Sequence, residues 1–205
     1  MSSTAEAGPR RPGRPAQFDR DNALTALLWL LWSKGYDAAT QEEMLAATGL
    51  SSSTLYRSFG TKADILEAAL ARYLAWADEM FAPLEHGRRG VADVHAFFDH
   101  LQAQFEGPMC NAGCLVWNTM QNPINGDPRI NSLTERHMHR LRRGLTAALQ
   151  RAADAGELPP SAPGYLADAL RAGVLGVQAR GRAGDAADAI TLLDGLRGLL
   201  GDGGH

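Results

Sequence analysis

The sequence specifies an all-α protein, and three observations carry that reading. Among the 45% of residues that are hydrophobic, Ala and Leu abound and β-branched residues are scarce, a balance that favours helix. Apolar residues recur at i, i+3, i+4 and i+7 in segment after segment, which is the helical period. The breaks between segments fall at Gly, Pro and short polar caps, which stop and start helices for steric and hydrogen-bonding reasons. At 205 residues the chain is long enough to bury a core without disulfides, as one large or two small domains.

In chain order, residues 1–16 mix Pro, Gly, Ser and Arg and read as a disordered basic arm. Prolines stiffen the run that carries Arg10, Arg11 and Arg14, and an extended cationic arm suits a narrow DNA minor groove; a solvated tail is the alternative. Asp19 opens a helix to about Lys34, with Leu24, Leu27, Leu28 and Leu31 on one face and Gly35 at its end. Trp29 and Trp32 lie beside that stripe and are assigned to the core.

The stretch from Thr40 to Lys62, TQEEMLAATGLSSSTLYRSFGTK, organises the rest. Thr40 with Glu43 is a capping box, in which hydroxyl and carboxylate satisfy N–H groups that a first helical turn leaves free. Met44, Leu45 and Ala47 supply the apolar face. Thr48 and Gly49 end the helix, because glycine reaches left-handed angles without strain. Leu50 points back inward. Ser51 to Ser53 cap the next helix, which runs to about Phe59, since Gly60 and the fresh cap Thr61, with Asp64 three residues on, begin another element. This short helix buries Leu55 and Phe59 and turns Ser52, Ser53, Thr54, Tyr56, Arg57 and Ser58 outward. Short hydroxyls, one Arg and one Tyr on a protruding helix suit a DNA major groove. Spacing alone equally admits an ordinary helical hairpin with a polar outside.

From Thr61 a longer helix runs to about Ala82, with Leu66, Ala69, Leu70, Tyr73, Leu74 and Ala77 in register and with Pro83 and the polar run from Glu85 to Gly90 as its stop. Val91 to Phe105 follows, its inner face rich in aromatics. Met109 to Met120 reads as a short helix before a loop from Asn122 to Pro128. Ile130 to Ala155 is a long amphipathic helix with Leu133, His137, Leu141, Leu145 and Leu149 in register. Two last helices, about Pro163–Ala179 and Asp185–Leu200, are apolar on two faces and so need two partners. One is the protein's own core. The other is most simply the same pair in a second subunit, through Leu170, Val174, Leu175, Leu192, Leu196 and Leu199, with Gly173 and Gly176 permitting close approach.

No catalytic constellation emerges. Nucleophile elbows and Gly-rich phosphate loops are absent, and no cofactor motif is present. His137 and His139 are two residues apart and point to different sides of a helix, which argues against a metal pair. Cys110 and Cys114 are the only cysteines, which excludes a disulfide scaffold and places the chain most simply in the cytoplasm. Set four apart on one helix, they are poorly placed for an unstrained disulfide, yet thiol or electrophile sensing stays open as an alternative. Neither an 18-residue apolar run nor a signal-peptide core is present. Trp76, Met80, Phe97, Leu101, Trp117, Asn118, Met120 and His137 together suggest a mostly apolar cavity for an aromatic or apolar small molecule, although each singly fits a core position. Net charge is −3. Residues 1–62 carry 7 cations against 6 acids, so DNA binding rests on local placement of the cations.

Residues 11–74 resemble the DNA-binding domain of the TetR family of bacterial transcriptional regulators, from RPGRP and GYDAAT through TQEEMLAATGLS, STLYRSFGTK and DILEAAL. The resemblance implies a three-helix helix-turn-helix domain over residues 17–62, behind the arm of 1–16. A helical effector-binding and dimerisation domain over 63–205 follows. It implies a homodimer, double-stranded operator DNA as partner, and release by a small ligand. It carries base contacts onto Ser52, Ser53, Thr54 and Arg57, phosphate contacts onto Thr40, Tyr56, Ser58 and Lys62, and minor-groove contacts onto Arg11 and Arg14. The serines replace longer base-reading side chains, which puts more weight on Arg57 and DNA shape. An all-helical enzyme and a helical protein-interaction module without DNA binding are the other classes the residues admit.

Overall fold

A computed structural model describes residues 19–201, and all regular structure among them is helical. The arm with Arg11 and Arg14 lies outside the described residues. α1 (Arg20–Lys34), α2 (Gln41–Thr48) and α3 (Ser52–Phe59) form a head, and α4 (Lys62–His86) runs from it into a body. The body comprises α5 (Val91–Glu106), α6 (Leu115–Met120), α7 (Pro128–Asp154), α8 (Ala162–Arg182) and α9 (Ala186–Gly198).

The caps explain the boundaries of the head. Asp19 accepts from the backbone N–H groups of Asp21 and Asn22 and starts α1. Thr40 Oγ1 receives the Glu43 N–H at 3.2 Å, and the Glu43 carboxylate receives the Thr40 N–H at 3.0 Å. The same reciprocal pair, Thr61 and Asp64, starts α4, and Ser51 caps α3. Gly49, at φ +66°, supplies the left-handed residue that turns α2 toward α3.

Two apolar clusters hold the chain together. In the body, Phe81, Phe97, Phe98, Leu101, Leu145, Leu149, Leu170 and Leu193 interlock helices α4, α5, α7, α8 and α9. In the head, Leu27, Leu28, Leu31, Leu55, Phe59, Leu66 and Leu70 form one cluster with Leu115, Val116 and Ile130. Each fully buried leucine contributes about 1.5–3 kcal/mol of transfer free energy. The segment around α6 therefore covers the head, although it is far away in sequence.

Several boundaries differ from expectation. α4 does not stop at Pro83 but continues to His86. Pro83 removes only the bond to the Glu79 carbonyl, while fully buried Leu84 anchors the last turn and Arg151 Nη2 donates to the Leu84 carbonyl at 2.9 Å. Residues 108–112 are turns rather than helix, and α6 begins only at Leu115, because Gly113 takes φ +62°. The Asn122–Pro128 loop contains a 3₁₀ turn at Pro123–Gly126. Ala47 is exposed, so α2 packs through Met44 with half-buried Leu45. Trp29 is not core: it is 38% exposed and stacks on Trp32 with ring centroids 5.4 Å apart.

Candidate nucleic-acid interface and effector cavity

The outward face of α3 exposes Ser53 and Arg57 to solvent, with Ser52, Thr54, Tyr56 and Ser58 half-buried beside them. Among the described residues, Tyr56, Arg57 and Ser58 make no side-chain hydrogen bond, so their polar groups are available to a partner. Ser52 accepts from Gln41 Nε2 at 3.0 Å, and Ser51 donates to Thr54 Oγ1 at 2.9 Å, which fixes both hydroxyls in place. Thr40 uses its oxygen as cap acceptor and keeps its O–H as a donor. Lys62, in the first turn of α4, sits over the Tyr36 ring at 4.7 Å, where the positive end of the helix also favours an anion. These side chains lie on α3, at the start of α2 and in the first turn of α4. Gln41 joins them, a residue that sequence reasoning passed over although it follows the Thr40 cap directly.

Several hydrogen bonds and ion pairs tie the head to the body, among them Asn122 Nδ2 donating to the Asp37 carboxylate at 2.5 Å. Trp32 Nε1 donates to the Gly113 carbonyl at 2.8 Å, and Gln104 Nε2 from α5 donates to the same oxygen at 2.7 Å. Arg182 at the end of α8 donates to the Ser33 carbonyl at 2.6 Å and the Trp32 carbonyl at 3.2 Å, satisfying orphan acceptors at the end of α1. Arg129, opening α7, bridges Asp64 at 2.7 Å and Glu67 at 2.9 Å on α4. Pairing with Arg129, together with the Thr61 cap, holds the Asp64 carboxyl down to about 2.

Behind this junction lie two adjacent spaces, an outer and an inner chamber, with Tyr73 and Met80 in the lining of both. The outer chamber, about 180 Å³, is bounded by Trp32, Trp76, Ala77 and Gln104. The inner one, about 20 Å³, is bounded by Phe81, Phe97, Leu101, Cys114, His137 and Gln178, among others. His137 is 5% exposed, and its Nδ1 has no hydrogen-bond partner. Burial pushes its pKa down to about 4, with nearby Arg140 adding to the effect, so the ring is neutral at physiological pH. Phe81 meets it edge-on at 5.1 Å. Of the expected cavity residues, Trp76, Met80, Phe97, Leu101 and His137 come together here. Trp117 and Asn118 do not: they line a separate cleft of about 380 Å³ between the head turn Gly35–Ala38 and α6, because α6 docks on the head. Met120 lines neither space.

Comparison with known proteins agrees with this arrangement. Residues 23–69 match the family model of bacterial regulatory proteins of the tetR family, and residues 90–193 match that of the tetracyclin repressor-like C-terminal domain. The chain is 32% identical over 188 residues to the HTH-type transcriptional repressor ComR of Escherichia coli, covering 89% of each protein. The chain belongs to the TetR family. It is also 26% identical over 132 residues to the E. coli repressor BdcR, covering 63% of this chain and 65% of that protein. A solved cysteine mutant of the TetR family regulator CifR, complexed with 26 bp double-strand operator DNA, has the same fold at a TM-score of 0.77 and 20% identity, covering 90% of this chain and 98% of that one. As a TetR-family member the protein is a DNA-binding transcriptional regulator and not an enzyme.

TetR-family membership leaves the other expected residues to be located. Cys110 lies in the 108–112 turns and Cys114 is the N-cap of α6, so the two do not share a helix. Cys114 accepts from the Tyr73 hydroxyl at 3.4 Å, and burial pushes its thiol up, which disfavours the nucleophilic thiolate at neutral pH. Leu170 and Val174 face the protomer's own core, and Leu196 packs against Gly173 of the same chain, so these three do not form an outer surface. Leu175 is half-buried, while Leu192 and Leu199 are exposed at 42% and 57%, joined by Tyr165 at 60%. Tyr73, Gln104 and Gln178 are cavity residues that sequence reasoning missed. Gln178 had a signal: it continues the buried Leu170, Val174 register as the one polar residue. No helix among the described residues is long and apolar enough to cross a membrane.

Proposed function

We propose that this regulator is a cytoplasmic homodimeric repressor, released from its operator by a small apolar or aromatic molecule held in the two-chambered cavity. Residues 17–62 read the DNA, with 1–16 as a minor-groove arm, and 63–205 bind effector and partner. The observation that carries the reading is the Gly113 carbonyl. It joins Trp32 of the head to Gln104 of the body, at the cavity wall. An effector that reorders Tyr73, Met80 and Gln104 moves the acceptor on which the head rests. Two heads read half-sites about 34–36 Å apart, so a small tilt of each spoils the match. Operator DNA must weaken effector binding by the same factor as effector weakens operator binding.

On the DNA, Arg57 pairs with a base edge, Ser52, Ser53 and Thr54 add short contacts, and Thr40, Tyr56, Ser58 and Lys62 hold phosphates. The test is fluorescence anisotropy on duplexes tiled across the DNA flanking the gene, at stated salt. One pseudo-palindromic segment is expected to bind about a thousandfold tighter than a scrambled duplex. Lys62→Ala is expected to weaken all duplexes alike and lower the salt slope by about one, or two per dimer, whereas Arg57→Ala relaxes base preference. Equal weak binding to every duplex, unchanged by Lys62→Ala, overturns the reading.

A further inference from the structure

The cavity also carries information about what fills it. Its outer chamber of about 180 Å³ is walled by Trp32, Tyr73, Trp76 and Met80, and an apolar cavity of about 150 Å³ is known to admit benzene. One aromatic ring therefore fits within it. The inner chamber, about 20 Å³, has room for one water-sized group. That group would meet His137 Nδ1, a nitrogen buried without a partner. A buried polar atom left unpaired costs free energy that a ligand can recover. A neutral imidazole carries one donor and one acceptor nitrogen, and a hydroxyl can answer either, since it both donates and accepts.

Charge is excluded on both sides. Neither chamber is lined by Asp, Glu, Lys or Arg. Arg140, whose charge acts on His137, lies over the Phe81 ring at 4.7 Å and is held by Glu85 at 2.7 Å and Asp78 at 2.5 Å. An anion would find no free counter-charge, and a cation would find no carboxylate. Trp76, 44% exposed and 5.4 Å from the Trp29 ring, stands at the mouth of the outer chamber as an aromatic rim.

We propose that the effector is an uncharged single-ring phenol: its ring occupies the outer chamber against Trp76 and Met80, and its hydroxyl enters the inner chamber to bond His137 Nδ1. Met80, unbranched and adaptable, stands where the chambers meet and swings aside to admit the hydroxyl. This rests on the effector-released reading above and narrows it to one chemical class.

The test is titration of the full-length wild-type protein by intrinsic tryptophan fluorescence and by calorimetry, with 4-methylphenol, toluene, benzoate and benzylammonium as probes. 4-Methylphenol is expected to bind about tenfold tighter than toluene, which keeps the ring and loses the hydrogen bond. Benzoate and benzylammonium are expected to bind at least tenfold more weakly than 4-methylphenol. His137→Leu is expected to equalise 4-methylphenol and toluene, and the wild-type panel decides the matter even if that variant does not fold. Toluene binding as well as 4-methylphenol, a charged probe binding tightest, or no probe binding overturns the ligand class. A phenol that binds but leaves operator affinity unchanged instead overturns the release mechanism while the ligand class stands.

Discussion

Gly113→Ala tests the junction between head and body most directly. Gly113 sits at φ +62°, and an added Cβ would lie 2.7 Å from the Gln178 carbonyl oxygen and 3.1 Å from Arg182 Cβ. The left-handed conformation costs an L-residue about 1 kcal/mol. The contact with a helical carbonyl cannot be relieved by a rotamer change, and overpacking of this kind costs about 1–3 kcal/mol more. The sum is about 3 kcal/mol. Gly156→Ala is the matched control: φ is +80°, but nothing lies within 4 Å of the added atom, so only the conformational cost of about 1 kcal/mol remains. Urea denaturation followed by circular dichroism, at one fixed protein concentration so that the proposed self-association cannot shift the midpoints, should separate the two variants by about 2 kcal/mol. Gly113→Ala should also lose operator affinity, since shifting residue 113 moves the acceptor of Trp32. Equal denaturation midpoints for the two variants would refute the claim that α8 packs tightly against this turn.

Other perturbations address other parts of the molecule. His137 is neutral when folded, with a pKa of about 4 against 6.5 when unfolded, so the unfolded chain binds the extra proton first. Stability is therefore intact above pH 6.5 and falls as pH drops toward 4, by about 3 kcal/mol from this group. Denaturation midpoints of His137→Leu should be correspondingly flatter over that window, and parallel curves for variant and wild type would remove the assignment. If the proposed homodimer is built on the exposed Tyr165, Leu192 and Leu199, Leu199→Glu places like charges across its symmetric interface. Sedimentation is expected to show monomers at micromolar concentration, and a persisting dimer would move the interface elsewhere.

Much of the head was legible because its causes are local. Both capping boxes, the Gly49 turn and the Leu55, Phe59 pair depend on residues within one or two turns, and the structure contains each of them. Pro83 misled because the helix end is decided by Leu84 and by Arg151, 67 residues away from it, rather than by proline alone. The site was half legible. His137 and Phe97 announce themselves by their register on helices that face the body core. Trp117 and Asn118 were misplaced, since the direction of α6 follows from the Trp32 to Gly113 bond, which spans 81 residues. Likewise α8 carries apolar side chains on two faces, and periodicity does not say which one turns inward. Leu170 proved internal, and α9 proved to hold the exposed leucines.

The Arg182 clamp has a consequence for biosynthesis. The carbonyls at the end of α1 wait for a side chain made about 150 residues later, and Leu31 and Leu66 share their cluster with Leu115, Val116 and Ile130. A nascent chain that has just released α1 to α4 from the ribosome lacks both its cover and its clamp. Such a chain is expected to be a poor competitor for operator sites, so DNA binding begins only when synthesis is nearly complete. A fragment of residues 1–90 should accordingly show a broad, non-cooperative thermal transition. A sharp transition with full operator affinity would mean that the head is finished before the body exists.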